Sequence, residues 1–163
     1  MNGIYLLLGS NLGNRLEYLK EAANLLAKQK IKIIDESSIY ETEPWGQKNQ
    51  DWFLNIILEV TTSLDPNSLL TTILSIENQL GRNRKEKWGE RCIDIDILYF
   101  FNEELTTEKL NIPHPGIPDR RFTLVPLAEM APLEIHPTLN KNHIELLAEC
   151  SNPLDCKLTD YKL

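Results

Sequence analysis

The sequence contains few cysteines, few histidines and no long apolar run, and each shortage excludes a class of protein. The three cysteines are odd in number and form no C-x-x-C pair, which is typical of a reduced cytoplasmic protein rather than a disulfide scaffold. The three histidines lack the spacing of a zinc site. No apolar run approaches the ~20 residues that a membrane helix needs. The common phosphate-loop, dinucleotide-binding and serine-hydrolase motifs are also missing.

Positive charge is scarce as well. The chain has 17 Lys and Arg residues against 24 Asp and Glu residues, a formal net charge of −7. Nucleic acids and anionic membranes require a net basic face, so we expect neither as a partner. A length of 163 residues with 42% hydrophobic residues suits one domain spanning 1–163, with a core that needs no metal or disulfide. We expect a soluble, cytoplasmic monomer.

The periodicity of apolar residues predicts the order of helices and strands. We expect strands at 4–8, at 31–34 together with 38–40, at 52–60 and at 93–101, with a long loop at 42–51. We expect one helix with the apolar face Leu12, Leu16, Leu19, Ala23 and Leu26, capped by Ser10 or Asn11. Asp65, Pro66 and Gly81 delimit a second helix, and further helices are expected near 124–130 and 144–150. The order strand, helix, strand, strand, helix, strand is typical of a ferredoxin-like α+β sandwich, a mainly antiparallel sheet with helices packed on one face.

A pair of carboxylates provides the first chemical signal. In the last predicted strand, Asp94 and Asp96 lie two residues apart and share a face, with Cα atoms roughly 6.6 Å apart. The residues that alternate with them point into the core: Ile93, Ile95, Ile97 and Tyr99. Adjacent carboxylates repel unless a cation lies between them, and hard oxygen ligands suit Mg²⁺. Taken alone, the pair is more typical of two solvated carboxylates on an exposed strand face than of a metal site.

The segment just before this strand is strongly basic. Residues 81–91 contain five basic and two acidic residues, in a protein that is acidic overall. Arginine and lysine beside paired carboxylates suit a polyphosphate with bound metal ions between them. The alternative is a solvated loop of mixed charge. Two glycines and the absence of an apolar period predict a mobile loop that can close over a substrate.

An aromatic residue and an amide share a face of another predicted strand. Phe53 and Asn55 lie two residues apart, so a flat heterocycle could stack on the ring while the amide reads its edge. The alternative is an asparagine that merely satisfies neighbouring main-chain groups.

Several segments together resemble one enzyme family. Residues 88–97, WGERCIDIDI, are similar to the signature of the hydroxymethyldihydropterin pyrophosphokinases. Further similar segments are residues 8–13, 40–46, 53–55, 82–85, 113–115 and 120–122. These segments span nearly the whole chain in the family's order and spacing, and their combination is highly specific.

The resemblance implies transfer of the terminal diphosphate of ATP to 6-hydroxymethyl-7,8-dihydropterin in folate synthesis, with AMP as the leaving group. It implies two Mg²⁺ ions held by Asp94 and Asp96, with Arg82 and Arg91 neutralising the moving diphosphate. The implied nucleotide contacts are Glu77, Arg82, Arg84, Lys85, Ile97, Lys109, His114 and Arg120. The implied pterin pocket comprises Thr42, Pro44, Trp45, Phe53, Asn55 and Phe122, with Trp88 helping to close the basic loop.

Three residues depart from the family's pattern. Phe53 stands where some members have Tyr, Lys109 where Arg can occur, and Pro115 where some members have an aromatic residue. The lysine would lose the two-pronged grip of an arginine, so these changes bear on nucleotide affinity more than on the reaction.

Two other functions remain consistent with parts of the sequence. A glycosyltransferase with a D-x-D motif would also hold a metal ion between carboxylates and a nucleotide diphosphate, but its donor would be a sugar nucleotide. A ferredoxin-like module could bind RNA or a small effector without turning over ATP. The net charge and the lack of a Gly-aromatic RNA-binding strand weigh against RNA.

Overall fold

A computed structural model describes residues 3–46, 49–81 and 91–163. These residues form, in chain order, β1 (Ile4–Ser10), α1 (Arg15–Lys28), β2 (Lys32–Glu36), β3 (Tyr40–Thr42), β4 (Phe53–Thr61), α2 (Pro66–Gln79), β5 (Asp94–Phe100), β6 (Leu105–Thr106), β7 (Asn111–Ile112), α3 (Arg121–Met130), α4 (His143–Glu149) and β8 (Cys156–Leu158). Within the described ranges, no helix has the length and apolar character needed to cross a membrane.

The main sheet has the strand order β5-β1-β4-β3-β8, and β2 also pairs with β4. Neighbouring strands in it are antiparallel, which confirms the predicted ferredoxin-like α+β class. All residues of β1 are buried because β1 lies between two strands and is covered on both faces, as a continuous apolar run predicts.

The predicted second strand is two strands in the structure. β2 pairs with one end of β4 and β3 with the other. Between them, Ser37 exchanges two hydrogen bonds with Ile57: its N–H donates to the Ile57 carbonyl, and its hydroxyl accepts from the Ile57 N–H, both at 2.9 Å. The serine hydroxyl replaces a main-chain acceptor there, so the chain can bend while β4 stays paired.

The first helix begins later than predicted. The expected caps, Ser10 and Asn11, are wrong: Ser10 ends β1, and Asn14 caps α1 by accepting from the Glu17 N–H at 3.3 Å. Leu12, expected on the apolar face, lies before the helix and is 44% exposed. The Asp65 cap and Pro66 at the first turn of α2 are confirmed.

Helices cover both faces of the sheet, not one face as predicted. One cluster joins α1 and α2 to the first face of β1 and β4; it includes Leu6, Leu19, Ile56 and Ile73. A second cluster joins α3 and α4 to the opposite face; it includes Leu7, Ile57, Leu124 and Leu146. The central strands are apolar on both sides, and the second face is buried by the two late helices.

A bulge in β5 moves Tyr99 to the opposite face from Ile97. The β1–β5 register shifts between Tyr5, which pairs with Tyr99, and Leu6, which pairs with Ile97. Leu98 is the additional residue, so Leu98 and Tyr99 both join the second cluster. The prediction that Tyr99 points the same way as the three isoleucines before it is therefore wrong, because strict alternation ends at a bulge.

Two buried histidines surround Tyr99 on this second face. The Nδ1 atom of His143 lies 2.6 Å from the Ala131 carbonyl, which can only accept, so Nδ1 carries the proton and Nε2 accepts from the Tyr99 hydroxyl at 3.1 Å. His136 packs edge-on to Tyr99 with ring centroids 5.5 Å apart. Burial lowers the pKa of both histidines, that of His136 to about 4.

We expect acid to destabilise the fold through these histidines. Because the pKa of His136 is lower in the folded protein, the unfolded chain binds more protons between about pH 6.5 and 4, and the free energy of unfolding decreases across that window as pH falls. In His136→Gln this decrease should be smaller by up to about 3 kcal/mol. Urea denaturation at a series of pH values measures it. Parallel pH profiles for variant and wild type would contradict the assignment.

Candidate active site

Three adjacent strands place a row of small and polar residues at one end of the sheet. Gly9, in β1, pairs with Asn55 of β4 on one side and with Asp94 of β5 on the other. Adjacent strands lie about 4.8 Å apart, so Asp94 and Asn55 are separated by about 10 Å at Cα. The row lies on the sheet face that packs against α3, and Gly9 occupies its middle.

Gly9 is a site residue that the sequence interpretation missed. A Cβ atom at this position would lie 2.7 Å from Asn55 Oδ1 and 3.7 Å from the Phe53 ring. Only glycine lets the Asn55 amide occupy this position over the sheet. A glycine inside an apolar strand is itself a signal of close approach, but its position beside a turn concealed that signal.

The two carboxylates lie among cationic groups. Asp94 forms an ion pair with Arg91, and Asp96 lies 3.6 Å from Arg120 Nη1. Desolvation and the Asp94 charge raise the pKa of Asp96, against the opposing effects of Arg120 and Arg91. Two negative charges are thus held together at a cost in free energy, which a bound cation would remove.

The donor set fits Mg²⁺. Among the described residues, no group of three or more His, Cys, Asp or Glu side chains comes together as a metal site. Two carboxylates would supply only part of the coordination of a cation, and Mg²⁺ at phosphate sites commonly takes the rest from water and substrate oxygens.

His114 presents a neutral donor to the same region. Its Nδ1 accepts from the Gly116 N–H at 3.0 Å, and its Nε2 lies 3.9 Å from Asp96 Oδ2. Desolvation and the charge of Arg120 lower the pKa of His114 to about 4, so the ring is neutral at pH 7. With Nδ1 accepting, Nε2 carries the proton, so it can donate to a phosphate oxygen.

The other residues implied for nucleotide binding differ in burial and in their distance from the carboxylates along the fold. Glu77 is buried and accepts from the Ile95 N–H at 2.9 Å, which ties α2 to β5. Ile97 is buried in the cluster beneath α1 and α2, so its side chain faces away from the carboxylates. Lys109 is exposed between β6 and β7. Arg82, Arg84, Lys85 and Trp88 lie outside the described residues.

Of the residues implied for the pterin pocket, Phe53 and Asn55 lie against Gly9. The others lie at the end of β3, just after it, or at the start of α3. Thr42 is buried, and its hydroxyl accepts from Asn55 Nδ2 at 2.7 Å. Pro44 is buried, whereas Phe53 is partly exposed. The aromatic rings of Trp45 and Phe122 are 6.5 Å apart between centroids.

Phe122 also contacts the cationic side of the site. The Arg120 guanidinium lies 5.8 Å from the centroid of the Phe122 ring. The start of α3 therefore places an aromatic residue towards Trp45 and, two residues earlier, an arginine towards Asp96. The two ends of the row are joined by this one segment.

A ferredoxin-like α+β domain with paired carboxylates, two arginines and a neutral histidine at one end of its sheet has the arrangement of a phosphoryl-transfer enzyme. Comparison with known proteins identifies the family. The family model for 7,8-dihydro-6-hydroxymethylpterin-pyrophosphokinase (HPPK) matches residues 5–132. The chain belongs to this family.

Individual relatives agree. The chain is 48% identical over 132 residues to 2-amino-4-hydroxy-6-hydroxymethyldihydropteridine pyrophosphokinase of Bacillus subtilis, covering 80% of this chain and 79% of that protein. It is 43% identical over 141 residues to the protein of the same name from Aquifex aeolicus, covering 86% and 88%. A crystal structure of wild-type Plasmodium falciparum HPPK-DHPS aligns with a TM-score of 0.69 at 21% identity. The alignment covers 91% of this chain but 44% of that one, so it shows a shared fold.

The protein is therefore an ATP-dependent pyrophosphokinase of folate biosynthesis. It transfers diphosphate from ATP to the hydroxymethyl group of 6-hydroxymethyl-7,8-dihydropterin and leaves AMP. The glycosyltransferase and binding-module interpretations are wrong.

Proposed function

We propose that Asp94 and Asp96 hold two Mg²⁺ ions together with the ATP phosphates, and that Arg91 neutralises the diphosphate as it moves. The observation that supports this most is the unfavourable proximity of the two carboxylates, beside cations that a polyphosphate would attract. When bound, the metal ions would supply Lewis-acid polarisation of the phosphate oxygens.

The chain's own contribution is then positioning and charge. Arg91, three residues before β5, and Arg120, at the start of α3, approach the carboxylates from different segments, and each guanidinium can bind phosphate oxygens with forked donors. His114 adds a neutral donor that steadies the nucleotide. Little covalent chemistry is required of a protein in phosphoryl transfer, because positioning and electrostatic stabilisation account for most of the rate.

The pterin would occupy the other end of the row. We assign its faces to Phe53 and Phe122 and its edge to Asn55. Because Asn55 Nδ2 donates to Thr42, the Asn55 amide is held in one orientation, with Oδ1 towards Gly9, and can accept from a pterin N–H. The hydroxymethyl group would then extend towards Asp94 over Gly9, which itself carries no side chain.

Counting bound metal ions tests the carboxylate assignment. With Mn²⁺ and a non-hydrolysable ATP analogue, electron paramagnetic resonance should find two Mn²⁺ per wild-type chain and fewer in Asp94→Asn and Asp96→Asn. The Mn²⁺ that the analogue binds without protein is measured separately and subtracted. Asp155→Asn is a matched control, because that surface carboxylate pairs with Lys157 at 3.1 Å. Undiminished binding in both site variants would refute the proposal.

We expect the pterin pocket to tolerate a ring change but not a truncation. Stacking on an aromatic ring is worth about 1–3 kcal/mol, so Phe53→Ala should weaken pterin binding by that amount and Phe53→Tyr hardly at all. Asn55→Ala should cost more, since it leaves pterin donors buried without partners. Calorimetric titration with the ATP analogue present measures all three. Phe101→Ala, an exposed aromatic residue at the opposite end of β5, is the control. Wild-type affinity in Phe53→Ala would place the pocket elsewhere.

A further inference from the structure

Asn11 links two segments that belong to different halves of the site. It follows β1 directly and is 1% exposed. Its main-chain N–H donates to the Arg91 carbonyl at 3.1 Å, and its Oδ1 accepts from the Arg91 N–H at 2.8 Å. Its Nδ2 donates to Gln50 Oε1 at 3.0 Å and to the Asp51 carbonyl at 3.1 Å. One buried residue thus makes four hydrogen bonds to two distant parts of the chain.

The two segments that Asn11 contacts lie next to the sites proposed above for the two substrates. Arg91 pairs with Asp94 and precedes β5, so it belongs to the diphosphate end of the row. Gln50 and Asp51 lie just before β4, separated from it by Trp52, and the first residues of β4 include Phe53 and Asn55. Because β1 lies between β4 and β5, a residue at its end can reach both neighbours.

The amide geometry suits this linking role. Asn11 uses its acceptor towards Arg91 and both hydrogens of its donor nitrogen towards the other segment. A buried amide with each group satisfied holds its partners in one arrangement, because any movement would leave a buried polar group unpaired. Arg15 reinforces the second segment, since its Nη1 donates to the Trp52 carbonyl at 2.6 Å.

We infer that Asn11 is a positioning residue that sets the separation between the pterin pocket and the transferring diphosphate. This rests on the roles proposed for Arg91, Phe53 and Asn55. Its loss should slow the chemical step more than it weakens the binding of either substrate alone, because a misplacement of about 1 Å can cost on the order of 10²-fold in rate.

Single-turnover kinetics with separate affinity measurements test the inference. In Asn11→Ala, the rate of the chemical step at saturating ATP, Mg²⁺ and pterin should fall about tenfold to a hundredfold. The dissociation constants of the pterin and of the non-hydrolysable ATP analogue, each measured alone, should change less than about threefold. A smaller loss of rate, or an equal loss of affinity, overturns the inference.

A control and a second variant separate positioning from stability. Asn14→Ala removes the cap of α1 on the same loop, so it should lower the melting temperature and leave the chemical step unchanged. An equal slowing in Asn14→Ala would show that loss of loop stability suffices, and the inference would fail. If Asn11→Ala does not fold, Gln50→Ala decides: a slowing of about threefold or more supports the inference, and anything less overturns it. Retained turnover in Asp96→Asn would refute the carboxylate roles separately.

Discussion

Asp96→Asn should reduce turnover by on the order of 10³-fold or more at saturating ATP and Mg²⁺, because it removes an anionic oxygen ligand where metal ions supply several kcal/mol of transition-state stabilisation. Asp94→Asn should have an effect of similar size. Steady-state assays of AMP release, with phosphorus NMR of the products, measure both. Near-wild-type rates in either variant at ordinary Mg²⁺ would contradict the two-metal assignment.

The same variant should not harm the metal-free fold. The raised pKa of Asp96 means that the folded protein disfavours its ionised form, so wild type loses stability as pH rises above the usual carboxyl range of about 4. Asparagine lacks this loss. Without Mg²⁺ at pH 8, Asp96→Asn should therefore melt at the same temperature as wild type or a few degrees higher, since about 1 kcal/mol corresponds to about 2–4 °C in a chain of this size. Asp155→Asn, at the surface, should change neither turnover nor melting.

Arg91→Ala should slow the chemical step by on the order of 10³-fold, the usual contribution of an arginine on a transferring phosphoryl group. Arg91 is paired with Asp94 and its main chain is held by Asn11, so the guanidinium is already positioned before substrate binds. Arg91→Lys should recover only part of the rate, because lysine keeps the charge and loses the forked donors.

Single-turnover kinetics, compared with binding of the ATP analogue, distinguish a role of Arg91 in the chemical step from a role in holding the nucleotide. Arg91→Ala should bind the analogue and the pterin with only modest changes in affinity, whereas the rate of the chemical step should fall steeply. An unchanged chemical step with weakened nucleotide binding would reduce Arg91 to a phosphate anchor. Lys141→Ala removes the same charge from a surface pair with Glu149 and should behave as wild type.

The parts of this fold that could be predicted are those governed by local pattern. The periods of β4 and α2 and the Asp65-Pro66 start of α2 are local consequences of side-chain alternation and capping chemistry. The carboxylate pair was predicted on the same grounds, because residues two positions apart on a strand share a face whatever surrounds them. The family resemblance then supplied the reaction, which local pattern could not.

The errors arise where partners distant in sequence decide the conformation. Ser37 divides the second strand because Ile57 of β4 is its partner. The bulge that moves Tyr99 is a mismatch between β5 and β1, and nothing within β5 predicts it. Asn11 was predicted to cap a helix, but its side chain forms hydrogen bonds with Arg91 and Gln50 instead.

By itself, the sequence determined the order of the main helices and strands apart from the division of the second strand, the ferredoxin-like class, the carboxylate pair and, through its motifs, the pyrophosphokinase family. Only the tertiary structure decided that helices cover both faces, that Gly9 joins Asp94 to Asn55 in one row, and that Asn11 connects Arg91 to the chain before Phe53. The physical reason is the range of the interactions. Propensity and periodicity act within a few residues, whereas the side-chain hydrogen bonds of Asn11 join residues 39 to 80 positions apart. Strand register likewise joins distant segments, and this geometry exists only once the sheet has formed.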